Sequence, residues 1–205
     1  MIYFVKGLML GFAYVAPIGV QNLFAVNTSL TQTKKRAYIT AFIIMFFDIT
    51  LSIACFLGAG AVMSTSKWLE LIVMGIGSLV VIYIGYSIIK SEANMDGNTD
   101  VDIPLAKVIT TACVVTWFNP QALIDGTMLL GASKAAIPQA YGYVFILGVC
   151  VASASWWFGL TTIITLFKAK ITSKIFRMIN IVCGVFILFY GANLLWDFIK
   201  LAKTM

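Results

Sequence analysis

The chain contains no histidine, four prolines and four cysteines, and only 11% of its 205 residues are charged. Without histidine, a serine–histidine or cysteine–histidine nucleophile and a histidine-rich metal centre lose their basis. Cys55, Cys113, Cys150 and Cys183 fall one to a hydrophobic segment, with no C-x-x-C pair. That spacing removes a redox relay and leaves them as small apolar fillers of helix contacts. A soluble domain of average composition carries roughly 25% charged residues. At 61% hydrophobic residues and a mean hydropathy of +0.98, a water-soluble fold could not hide this chain's apolar surface.

What is present is a series of long apolar runs between short polar connections. A hydrocarbon core about 30 Å thick takes roughly 20 helical residues to cross. Six runs meet that length, at about Phe4 to Val26, Ala37 to Met63, Trp68 to Ile89, Leu105 to Leu130, Tyr141 to Phe167 and Ile175 to Trp196. The first begins at Met1 without a basic stretch before it or a small-residue cleavage site after it, so it is expected to be retained. The expected fold is therefore an all-α integral membrane protein of six transmembrane helices. It forms one transporter domain over 1–205, with halves 1–90 and 105–205 joined by a polar connection at 91–104.

The net charge of +6 does not indicate nucleic acid, because the basic residues gather at helix ends, as in Thr33-Lys34-Lys35-Arg36. Nine of the 14 basic side chains lie on the first, third and fifth connections. The bias puts those connections in the cytoplasm and both termini outside. Three helices per half make the second half enter the bilayer in the opposite sense, the arrangement of inverted repeats.

A trace of that repeat is legible in the first helix of each half. Ala16-Pro17-Ile18-Gly19-Val20-Gln21-Asn22 and Phe118-Asn119-Pro120-Gln121-Ala122-Leu123-Ile124-Asp125 both place a polar side chain five residues after a proline. Proline removes a backbone donor and clashes with the preceding turn, so helices 1 and 4 are expected to break at Pro17 and Pro120. Gly19 adds freedom beside the first break. Gln21, Asn22, Asn119 and Gln121 offer amide donors and acceptors around both. A simple kink supported by neighbouring helices is the plainer alternative.

Asp48 and Asp125 are the two carboxylates deep in hydrophobic runs, and no basic residue lies equally deep. An ionised carboxylate at mid-membrane costs at least about 2.5–3.5 kcal/mol, so each needs a polar partner, a wet cavity or a proton. The missing positive charge is then a proton or a cationic solute, unless asparagine, glutamine or threonine neighbours satisfy the carboxylates structurally. Ser153-Ala154-Ser155-Trp156-Trp157-Phe158-Gly159 in the fifth run combines small residues with aromatic faces. Trp156 is assigned to the gating set with Pro17, Gly19 and Pro120, beside the plainer reading that the segment simply packs.

Together these residues resemble the LysE amino-acid exporter family, closest to its lysine and arginine exporters. The resemblance rests on Ala16-Pro17 with Gln21-Asn22, on Asp48, on Thr116-Trp117-Phe118-Asn119-Pro120 with Asp125, on Trp156 to Gly159, and on Ile179-Asn180 with Gly184. Val20 stands where the family commonly has a second proline, and Gln121 where many of its basic-amino-acid exporters have histidine. The resemblance implies efflux of a cationic amino acid across a bacterial cytoplasmic membrane, driven by a proton or potential gradient. It adds Gln21, Asn22, Asp48, Asn119, Gln121 and Asp125 as solute-binding candidates.

The expected partners are a small cationic solute and the lipid bilayer. Protons are admitted as a coupling partner, self-association into a homo-oligomer is admitted too, and no cofactor is expected. Alternatives are efflux of another small cation or a metal ion, a membrane enzyme, and a structural subunit. The paired cysteines of a thiol–disulfide carrier are missing, and without histidine a hydrolase is left with a serine–lysine or aspartyl pair, for which Asp48 and Asp125 lack the flanking signatures of a protease.

Overall fold

The computed structural model describes residues 1–58, 67–90, 103–168 and 173–204, and every regular element among them is helical. In chain order these are α1 (Ile2–Val15), α2 (Val20–Thr31), α3 (Lys34–Leu57), α4 (Lys67–Lys90), α5 (Leu105–Trp117) and α6 (Pro120–Gly126). There follow a π-helical stretch (Thr127–Gly131), α7 (Ala132–Ala136), a 3-10 turn (Gln139–Tyr141), α8 (Gly142–Phe167) and α9 (Ser173–Thr204).

Local chemistry sets several of these boundaries. Thr33 caps α3, its hydroxyl accepting the Arg36 N–H at 3.2 Å. The helix stops at Leu57, because Gly58 turns left-handed with φ of 106°. The second run was expected to reach Met63, which lies outside the described residues. At the other boundaries, α2 extends past Val26 to Thr31, and α9 runs on from Trp196 to Thr204.

The molecule has an inverted surface. Met9, Phe42, Phe46, Leu79, Tyr143, Leu166 and Phe189 are exposed, whereas Asn22, Asp48, Ser78, Thr116, Asn119 and Ser153 are buried. Apolar outside and polar inside is the pattern of a helix bundle solvated by lipid. Lys34–Leu57, Gln139–Phe167 and Arg177–Lys203 are each long and apolar enough to cross a membrane, and α1 with α2 makes a fourth crossing if the bent pair is one span. Of the other expected spans, Met74–Lys90 and Leu105–Trp117 are shorter apolar helices within the described residues.

Two tight contacts organise the bundle. α1 lies along α8, and a Cβ on Gly7 would overlap the Phe145 carbonyl while one on Gly148 would overlap the Phe4 carbonyl. α4 lies along α9, where Gly85 and Gly184 bring the two backbones together. Between these pairs, α2, α3 and α5 meet around a core that includes Val20, Ile44, Val108, Val115 and Trp157. Without a hydrophobic drive between helices in lipid, such close backbone approach supplies the packing attraction.

The α1–α8 contact is therefore expected to be intolerant of a single methyl group. Gly7→Ala should lower stability by about 1–3 kcal/mol. Gly159→Ala, at a glycine whose Cβ position is open, should stay within about 0.5 kcal/mol. Thermal unfolding of the two purified variants in the same detergent checks both values.

Candidate functional site

The first interruption lies between α1 and α2, which meet at 77°. With no helix continuing across Ala16–Gly19, carbonyls at the end of α1 lose their usual donors. Asn22 replaces them, its side-chain amide donating to the Val15 carbonyl at 3.2 Å and to the Pro17 carbonyl at 2.8 Å. The amide oxygen of Asn22 accepts the Trp156 indole N–H at 2.8 Å, which ties the break to α8. Both amide hydrogens and the oxygen are thus engaged within the protein. Gly19 precedes α2 with φ of −133° and ψ of −174°, an extended conformation open to any residue, so the backbone there does not require glycine.

The second interruption is at Phe118 and Asn119, and Pro120 occupies the first turn of α6, where its missing N–H costs nothing. Asn119 is buried and its side-chain oxygen accepts the Tyr190 hydroxyl of α9 at 2.8 Å. Gly77 lets the α4 backbone lie against the Phe118 carbonyl, and the Trp117 indole donates to Thr50 of α3 at 3.3 Å. The Tyr14 hydroxyl, one residue before the end of α1, donates to the Ala122 carbonyl in α6 at 3.3 Å.

One hydrogen bond joins the two interruptions. Gln21, in the first turn of α2, donates from its amide to the Thr116 hydroxyl in the last turn of α5 at 2.7 Å. Thr116 is fully buried. The breaks, separated by about a hundred residues of chain, are neighbours in space.

The carboxylates occupy different surroundings. Asp48, 1% exposed on α3, accepts the Ser153 hydroxyl on one oxygen at 2.6 Å, and its other oxygen has no partner among the described residues. The Trp157 indole N–H faces the same carboxylate without making a hydrogen bond, and the Ser52 and Thr161 hydroxyls are buried and unpartnered. Ser153, Trp157 and Thr161 recur every four residues along α8, and Ser52 is one turn from Asp48 on α3, so these groups form a polar seam between the helices. Asp125 is half-buried on α6 and accepts the amide of exposed Gln121, one turn earlier, at 2.7 Å. Among the described residues neither carboxylate has an ion-pair partner.

Amides, hydroxyls and a helix N-terminus thus lie beside a gap in the helical backbone. The profile of the family described as LysE type translocator matches residues 12–197. The chain belongs to that family. It is a multi-pass membrane transporter and not an enzyme. Among its relatives, arginine exporter protein ArgO of Shigella flexneri is 28% identical over 99% of this chain and 98% of its own length, as is that of Escherichia coli (strain K12). ArgO of Salmonella schwarzengrund (strain CVM19633) is 30% identical over 89% of this chain and 88% of its own. No solved structure matches the chain.

In this translocator the residues singled out by sequence come together in pairs, two of the pairs within that set and two with residues outside it. Gln21 meets Thr116, Asn22 meets Trp156, Asn119 meets Tyr190 and Gln121 meets Asp125. Asp48 and Asp125 do not touch each other. Tyr14, Tyr190 and the hydrogen-bonding role of Ser153 had no local signal, since each acts on a residue dozens of positions away.

The cap at the first break is expected to be structural. Asn22→Ala should cost about 1–3 kcal/mol, since the buried Val15 carbonyl and the part-buried Pro17 carbonyl lose a donor, and Trp156→Phe about 1 kcal/mol. Thermal unfolding of each variant measures the difference, and an Asn22→Ala protein as stable as the parent would contradict the cap.

Proposed function

We propose that the translocator exports a basic amino acid, arginine or lysine, across the bacterial inner membrane by alternating access. The observation that carries this reading is the Gln21–Thr116 bond, which brings the two helix interruptions together, with Asp125 on the half-helix after the second and Tyr14 joining α1 to that half-helix. The first turn of α2 directs free N–H groups and its positive dipole end into the gap and suits the solute's α-carboxylate. The end of α1 and the two aspartates suit its cationic groups. Asn22, Asn119 and Gln121 shape the walls, and Pro17, Gly19, Pro120 and Trp156 form the hinge between the half-helices. The printed names of the ArgO relatives support arginine as the solute.

Six spans in two inverted halves are part of the proposal, and the packing pattern supports them. α1 packs on α8, and α5 and α6 of the second half pack on α3. α2 touches α9 as α6 touches α4, while the α3–α8 and α4–α9 pairs map onto themselves when the halves are exchanged. The end bearing Lys34, Lys35, Arg36, Lys107 and Lys168 faces the cytoplasm in this scheme, with both termini outside. A proton or the membrane potential drives export, and the unpartnered oxygen of Asp48 in the α3–α8 seam is the group best situated to exchange a proton. A metal ion is a poorer solute, because among the described residues no three histidine, cysteine, aspartate or glutamate side chains gather.

Efflux of radiolabelled arginine and lysine from proteoliposomes tests the proposal. Asp48→Asn and Asp125→Asn should each cut the initial rate at least about tenfold, the loss expected when a charge used in transport is neutralised. Full-rate efflux by both variants would remove the carboxylates from the mechanism.

A further inference from the structure

A cavity of about 390 Å³ lies between α2, α4 and α5, apart from the interruptions. Asn27, Thr28, Thr31, Gln32, Ser87 and Thr111 bring polar atoms to a mainly apolar lining, and among the described residues Lys107 is its one charged side chain. Its volume is in the range of small-molecule sites. At one end of it Lys168 donates to the Gln32 carbonyl at 2.7 Å and the Gln32 side chain accepts the Ile103 N–H at 2.7 Å. Its inner end is at Phe24, Val80 and Val114. Phe24 is one turn from Gln21 and Val114 two residues from Thr116, so the cavity stops just short of the bond that joins the two interruptions. From Lys107 to Val114 is seven helical residues, about 10 Å, comparable with an extended basic amino acid.

We infer that this cavity is a loading site at which Lys107 reads the α-carboxylate of the exported amino acid before the solute reaches the interruptions. The inference rests on the proposed function and adds a second binding position to it. A lysine on the path of a cation looks unfavourable until the solute's own charges are counted. An amino acid brings a carboxylate to neutralise the ammonium group, and its side-chain cation then extends inward along the hydroxyls. A diamine or decarboxylated amino acid meets Lys107 with nothing to offset the repulsion, so the same side chain selects for amino acids and against polyamines. The opposite end has a cavity of about 470 Å³ between α1, α7 and α8. Among the described residues Lys6 and Ser133 are its only polar lining side chains, a poorer site for a zwitterion.

The test compares arginine with agmatine, its decarboxylated analogue, as labelled solutes for the full-length protein and its Lys107→Gln and Lys107→Arg variants. Each protein is reconstituted in neutral phosphatidylcholine vesicles and in vesicles containing phosphatidylglycerol. Lys107→Gln should raise the KM for arginine about five- to tenfold, increase agmatine transport and leave kcat for arginine near that of the parent, while Lys107→Arg stays close to the parent. Those changes should be equal in the two lipids. An unchanged KM, an equal change for arginine and agmatine, or an effect confined to anionic vesicles would overturn the inference; the last result would make Lys107 a lipid-headgroup contact. Parent protein that moves neither arginine nor lysine would instead overturn the proposed function, and this inference with it.

Discussion

An interrupted helix in an apolar surrounding persists only where some group, from the protein or from water in a cavity, satisfies the carbonyls it frees. Here that is the Asn22 side chain, which holds the Val15 and Pro17 carbonyls together and is itself held by Trp156. The rest of the site follows from this cap. It fixes the 77° turn from α1 to α2, and that turn carries Gln21 across to Thr116. The second interruption is supported from outside, by Tyr190 on Asn119 and by the α4 backbone at Gly77, so its geometry depends on α4 and α9 remaining in contact.

The same network divides rigid from movable parts. α1 is locked to α8 and α4 to α9 by glycine contacts in which a Cβ would meet backbone, and these pairs behave as bodies rather than flexible rods. Between them run single hydrogen bonds, Gln21 to Thr116 and Tyr14 to the Ala122 carbonyl. Such bonds are individually worth about 0.5–1.5 kcal/mol net, small enough to break and remake in a transport cycle. Basic side chains at one end also serve the helices directly, Lys168 capping the Gln32 carbonyl and Arg177 the Ile89 carbonyl. The charge bias that orients the chain thus includes side chains that finish the C-terminal ends of α2 and α4.

Much of this was legible in the sequence because bilayer constraints are severe. Scarce charge, long apolar runs and helix-end lysines pointed to membrane helices, and Pro17, Asn22, Asp48, Asn119 and Asp125 stood out as polar or helix-breaking residues in apolar surroundings. What those residues bind was not legible. Asn22 looked like a solute ligand, yet its hydrogen-bonding capacity is filled by its own backbone break and by Trp156. The end of α3 at Gly58 was obscured by the apolar residues that follow it. Tyr14, Thr116, Ser153 and Tyr190 become meaningful only when helices distant in sequence are brought side by side, which periodicity along one helix does not encode.

The central claim is that the two interruptions face one another and must separate for transport. Gln21→Cys combined with Thr116→Cys, in a protein whose four native cysteines are replaced, allows that contact to be bridged by a short bifunctional thiol reagent. The account requires an intramolecular cross-link and a loss of efflux that reduction of a cleavable bridge restores. Failure to cross-link, or full-rate efflux by the bridged protein, would contradict it.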